Sequence, residues 1–231
     1  MNGPLLLQGA MEVETDWLAA WLEGRRERAI GAFRFWSGVL AGQEVVVSRT
    51  GIGELNAACA TALGIREFHP RAVLNQGIAG AHREDLRVGD LVVGERVAYL
   101  NAWDTPARGA GEGSDPFSWA PGEGAEVLPS DEALTAALLA APYAGGRKRS
   151  GTLGSGDLFT READRIRWLR ARFGQLCEDM ESAGCYVSCA RLGVPCAGVR
   201  IISNNELTGE AYQREMGLVL QRFLLGALAE I

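Results

Sequence analysis

The chain has 231 residues, 47% of them hydrophobic and 23% charged, which is enough apolar material for one compact α/β domain with a sizeable core. A net charge of −6 and a pI near 5.1 argue against non-specific binding to nucleic acid or to an anionic membrane surface. The sequence shows neither a run of about 18 apolar residues nor a charged N-terminal region leading into an apolar stretch, so the cytoplasm is the expected compartment.

In chain order, a first strand is expected at residues 3–9, followed by a helix with Trp17, Leu18, Trp21 and Leu22 on one face. The basic runs at 25–28 and 147–149 read as solvated surface turns. Residues 32–40 and 44–49 form paired strands around a turn at 41–43. A glycine-flanked turn at 51–53 opens a helix over 54–63. A short buried strand at 72–75 runs into a second glycine-flanked turn at 77–80, and a further strand extends from 88 to about 100. Residues 102–124 are rich in Gly and Pro and have no period; a stretch of that kind is functional or disordered. Trp103, Phe117 and Trp119 within it favour an ordered loop that makes contacts. Then come a helix at 134–139, a strand at 149–155, helices at 161–173 and 180–192, a strand at 195–203 and a last helix at 209–229. Strands alternating with helices imply one α/β domain over 1–231, a mixed twisted sheet flanked by helices on both faces.

Five cysteines are present, and Cys177, Cys185, Cys189 and Cys196 lie close in sequence. A zinc site needs paired tight spacings or nearby histidines, and His69 and His82 are remote in sequence, so buried thiols and no metal are expected.

Several short runs carry the chemistry. Gly-Ala-Met-Glu-Val-Glu over 9–14 follows the first strand; acids there also complement a helix dipole, so alone this run says little. Gly-Ser-Gly-Asp-Leu-Phe-Thr over 154–160 offers an aromatic face, although Phe159 also fits a simple helix staple. Glu-Asp-Met-Glu over 178–181 opens a helix, and Ile-Ile-Ser-Asn over 201–204 ends a strand with polar side chains at a sheet edge.

In this order, over nearly the whole chain, these runs resemble the nucleoside phosphorylase and nucleosidase superfamily, in particular its methylthioadenosine/S-adenosylhomocysteine nucleosidase branch. The resemblance implies a phosphorylase-like fold, no cofactor, a small nucleoside substrate and a homodimer in which the long loop reaches the partner's site. It implies that Glu14 activates water, ordinary general-base work for a carboxylate, and that Glu181, after Met180, accepts from the two ribose hydroxyls and stabilises positive charge on the sugar. Phe159 would stack on the purine and Thr160 meet it through its backbone. Ile78, Ala79 and Gly80 would lie beside the ribose, Ile78 by backbone alone because the relatives carry Ser there. Asp179 stands where the relatives have Glu. Met11, Ile52 and the loop aromatics would line an apolar slot for the 5′ substituent.

At Asn204 the adenosine-cleaving relatives carry Asp. An amide can donate to O6 of a 6-oxopurine and accept from a protonated N7; Asn205 or Glu206 taking the role after a local shift is the bland alternative. The chain therefore resembles the futalosine-hydrolysing members, which implies release of hypoxanthine from futalosine in the alternative menaquinone pathway. Adenosine-type nucleosidase activity, 6-oxopurine phosphorolysis and non-catalytic nucleoside binding are the competing readings.

Overall fold

Leu5–Gly9, an uninterrupted buried run, forms strand β1 at the middle of the sheet. Leu5 and Leu7 enter one apolar cluster and Leu6 the other, the period-two alternation of a strand covered on both faces. The computed structural model describes residues 3–107, 109, 111–123 and 127–231. Helix α1 (Glu12–Ala20) is followed by β2 (Glu23–Ile30), β3 (Phe33–Leu40) and β4 (Gln43–Arg49), then α2 (Glu54–Phe68), β5 (Ala72–Ala81) and β6 (Leu91–Tyr99). The short strands β7 (Trp103–Asp104), β8 (Ala120–Pro121) and β9 (Val127–Pro129) precede α3 (Glu132–Ala140) and β10 (Lys148–Ser155). Helix α4 (Ala163–Phe173), β11 (Gln175–Asp179), α5 (Ser182–Leu192), β12 (Cys196–Asn204) and α6 (Met216–Ala227) complete the chain.

The main sheet runs β11-β10-β6-β12-β5-β1-β4-β3-β2, and β11 also pairs with β5, which closes part of the sheet into a ring. β1 is parallel to β4 and β5, β12 is parallel to β5 and antiparallel to β6, and β11 meets β5 antiparallel with Glu178 opposite Gly80. Helices α1 and α6 pack together on one face and α2 and α5 on the other. Gly184 lets the second pair approach closely, because a Cβ there would sit 2.3 Å from the Glu54 carbonyl oxygen.

The α/β class, the mixed sheet and the helices on both faces match the expectation; several boundaries do not. The basic run at 25–28 is part of β2, an exposed edge strand paired with β3, rather than a turn: it is solvated as expected, but the hairpin around Gly31 carries it into the sheet. The glycines at 77–80 lie inside β5, which continues past them because β12 and β11 supply its hydrogen-bonding partners. β11 has no counterpart in the expected elements. The last helix starts at Met216, not near 209: Gly209 has a positive φ of 77°, an Asn205–Glu210 bridge folds the segment back, and Gln213 N–H donates to the Ser203 carbonyl. Helix α1 ends at Ala20 and leaves Trp21 exposed, while Leu18 and Leu22 are buried.

The long loop is held through its aromatics. Trp103 stacks 4.8 Å from Trp168 and 5.6 Å from Phe173, and Phe117 meets Trp168 edge-on at 5.8 Å. Residues 108, 110 and 124 of that stretch lie outside the described residues. No helix among the described residues is long and apolar enough to cross a membrane.

Candidate active site

The ends of β1, β5, β11 and β12 open into a cavity of about 650 Å³. Glu14, the third residue of α1, caps its own helix: Oε2 accepts from the backbone N–H of Ala10 at 2.7 Å and of Met11 at 2.9 Å. Its other oxygen accepts from Ile78 N–H at 2.9 Å, so one carboxylate ties β1, α1 and β5 together. Gly77 makes this approach possible, since a Cβ there would come within 2.8 Å of Glu14 Oε1. Burial raises the pKa of Glu14 above its ordinary value, and the backbone donors from Ile78, Met11 and Ala10 with the charge of Arg200 act against that rise.

Glu181 stands at the start of α5. Its Oε1 accepts from Gly53 N–H at 3.1 Å and its Oε2 from Met180 N–H at 3.3 Å. Burial, reinforced by the charges of Glu14 and Asp179, pushes it up to about 8. Two buried acidic side chains thus face one cavity, and the charge of Glu14 favours the protonated form of Glu181.

Below them lies a buried ion pair. Asp179 and Arg200 are both almost fully buried, with Arg200 Nε 2.9 Å from Asp179 Oδ2. Arg200 also donates to Ser182 Oγ at 2.7 Å and to Asn75 Oδ1. Asp179 Oδ1 accepts from the backbone of Glu181 at 3.0 Å and of Ser182 at 2.8 Å, which fixes the turn carrying Glu181. Asp179 therefore borders the cavity but turns its carboxylate to protein partners.

At the far end, Asn204 leaves β12 with Oδ1 accepting from Ser203 Oγ at 2.9 Å and Nδ2 donating to Glu206 Oε1 at 3.3 Å. Asn205 is turned away; its amide donates to the carbonyls of Arg83 and Leu86, each at 2.9 Å. Phe159 is 53% exposed on the cavity wall with Tyr212 set edge-on at 6.4 Å. Thr160 directs its hydroxyl (2.9 Å) and its N–H (3.3 Å) to Glu178, which also lies 3.2 Å from His82 Nε2.

Met11, Ile52, Ile78, Ala79 and Gly80 line this same cavity, as do Phe159, Thr160, Asp179, Met180, Glu181, Glu14 and Asn204. Sequence reasoning missed Glu178, Arg161 and Tyr212 as lining residues, and named Glu206 only as an alternative to Asn204. Glu178 heads the acidic run that was singled out, yet its orientation depends on β11, which has no periodic signature. Among the described residues no group of three or more His, Cys, Asp or Glu is arranged to hold a metal ion. Cys177, Cys185, Cys189 and Cys196 are buried free thiols, and Cys59 is exposed.

Residues 4–224 match the model of the Phosphorylase superfamily. A 5′-methylthioadenosine/S-adenosylhomocysteine nucleosidase from Geobacillus kaustophilus is 36% identical over 94% of this chain and 88% of its own length. The crystal structure of the nucleosidase of the same name from Neisseria meningitidis, in complex with methylthio-immucillin-A, superposes with a TM-score of 0.84 at 28% identity over 99% of this chain and 100% of that one. A futalosine hydrolase mutant of Helicobacter pylori superposes with a TM-score of 0.82 at 26% identity over 99% and 100%.

Proposed function

The chain belongs to the phosphorylase superfamily and is a nucleosidase, and we propose that it hydrolyses the N-glycosidic bond of a 5′-substituted purine nucleoside. The arrangement of Glu14 and Glu181 about one cavity carries this reading. In its ionised form Glu181 accepts from the 2′- and 3′-hydroxyls and stabilises positive charge as the C1′–N9 bond breaks. Glu14 takes a proton from the water whose oxygen bonds to C1′. The purine leaves with the bond electrons and takes a proton at N7 from solvent water, with Asn204 hydrogen-bonded to that edge and Phe159 stacked on its face. Met11 and Ile52 wall the 5′ end.

The relatives' names support 5′-methylthioadenosine and S-adenosylhomocysteine as substrates better than they support futalosine. Asn204 fits adenine while N7 is unprotonated, its oxygen accepting from N6 and its nitrogen donating to N7, but once N7 is protonated only the O6/N7 edge of hypoxanthine matches the amide. Futalosine is the second reading; it has the Helicobacter pylori neighbour and the absence of an acid at 204 in its favour. We further propose a homodimer that covers Leu55 and Leu192, exposed apolar residues on the neighbouring helices α2 and α5.

Free-base release from 5′-methylthioadenosine, S-adenosylhomocysteine, futalosine and inosine, each with and without phosphate, tests the proposal. Phosphate-independent adenine release from the first two establishes the leading reading, and hypoxanthine release from futalosine alone replaces it with the second. A strict phosphate requirement would mean phosphorolysis and overturn both.

A further inference from the structure

The geometry points to Glu178 as the residue that reads N1 of the purine and gives the site a preference for 6-oxopurines. This rests on the nucleosidase reading and, within it, favours the 6-oxopurine class over the adenine class that the relatives' names support.

Gly80 is the register partner of both Glu178 on β11 and Asn204 on β12, so these two residues flank the same position of β5. With strands about 4.8 Å apart, their backbones stand roughly 10 Å from each other across Gly80. Both line the cavity. A base lying over Gly80 with its six-position toward the sheet meets Asn204 on its N7 side and Glu178 on its N1 side.

The hydrogen bonds of Glu178 set what it can offer there. Oε2 lies 3.3 Å from Thr160 N and 3.2 Å from His82 Nε2, and Oε1 accepts from Thr160 Oγ1 at 2.9 Å. A carboxylate has about four acceptor positions; Thr160 takes one on each oxygen, and Oε1 keeps a second. Both Thr160 donors are already turned to Glu178, and the wall at this point presents an acceptor. A 6-oxopurine carries a hydrogen on N1 and an acceptor at O6, matching Glu178 and the Asn204 amide together. Adenine brings a lone pair at N1, which would face the carboxylate oxygen without a proton between them. Sites built around such complementarity reject the mismatched partner strongly, because the buried groups are left unpaired.

The test is calorimetric binding of the free bases hypoxanthine and adenine to the full chain and to its Glu178→Gln and Glu178→Val forms. The unaltered protein is expected to bind hypoxanthine at least about tenfold more tightly, with that ratio falling about tenfold or more in either variant. Glu178→Gln is close to isosteric and can still bond to His82 and Thr160, so it keeps the test decisive if the valine form fails to fold. Tighter binding of adenine by the unaltered protein, or an unchanged ratio in folded Glu178→Gln, overturns the assignment. Base release from 5′-methylthioadenosine and futalosine is followed in the same preparations. Failure to release any base would sink the nucleosidase reading, while the binding ratio still judges Glu178.

Discussion

Glu54 and Asp179 share a single hydroxyl: Ser155 Oγ lies 2.5 Å from Glu54 Oε1 and 2.7 Å from Asp179 Oδ1. One hydroxyl proton cannot serve both. Ser155 Oγ also accepts from Ala183 N–H at 3.1 Å, and the arrangement closes if Glu54 holds a proton, donates to Ser155, and Ser155 donates to Asp179. The surroundings agree. Burial pushes Glu54 up to about 8, with the charges of Asp179 and Asp157 adding to the rise. Burial acts upward on Asp179 too, but Arg200 and the hydroxyls of Ser155 and Ser182 hold it below its ordinary value.

Stability should therefore fall as pH rises from about 5 to above 8. A carboxyl whose folded pKa is raised binds its proton more tightly in the native state; the contribution is whole below the unfolded value of about 4.3 and is lost through the folded value near 8. Glu181 contributes with the same sign. Glu54→Gln mimics the protonated form, so its melting temperature should vary less with pH over this window. Thermal melts from pH 5 to 9 on both proteins check this, and parallel curves would mean that Glu54 carries no extra proton.

Removing Arg200 should cost far more than a surface charge. Arg200→Met leaves Asp179 as an uncompensated buried charge, a loss of about 3–5 kcal/mol. Adding Asp179→Asn should recover part of it, since the charge goes with its partner. Urea unfolding of the two single variants and the double variant measures the coupling directly.

Glu14→Gln should lower kcat by about 10²–10⁴-fold, the usual worth of a positioned general base. Because Glu14 and Glu181 both act as anions and burial raises both, the acid limb of kcat/KM in the unaltered protein should lie above the ordinary range for Glu. Steady-state kinetics from pH 4 to 9 reads both effects, and a limb near 4.3 would place Glu14 in a wetter setting than its three backbone donors suggest.

The alternation of apolar runs made the sheet and helices legible, and Glu14, Glu181 and Asn204 stood out through the resemblance their motifs carry together, and the fold gathers them around one cavity. What was not legible depends on contacts distant in sequence. β2 is mostly polar and exposed apart from half-buried Ile30, so no apolar pattern marks it; pairing with β3 makes it a strand. The continuation of β5 through glycine depends on β11 and β12, which come about 100 residues later in the chain. Glu178 and Glu206 differ from surface acids only through what folds over them, and Arg200 in an apolar strand interior gave no sign of its partner until Asp179 was placed beneath the site.

Asn204→Asp should move the preference toward adenine nucleosides. The amide suits either base, depending on which way it is turned. A carboxylate accepts from N6 but faces a lone pair at O6, so the ratio of kcat/KM for 5′-methylthioadenosine over futalosine should rise about tenfold or more. Glu206 lies 3.3 Å from Asn204 Nδ2, so a second acid at 204 would also meet like charge. Glu206→Gln combined with Asn204→Asp relieves that repulsion and should widen the shift. If the ratio stays flat in both variants, Asn204 does not touch the base, and the polar edge is read by Glu178 without it.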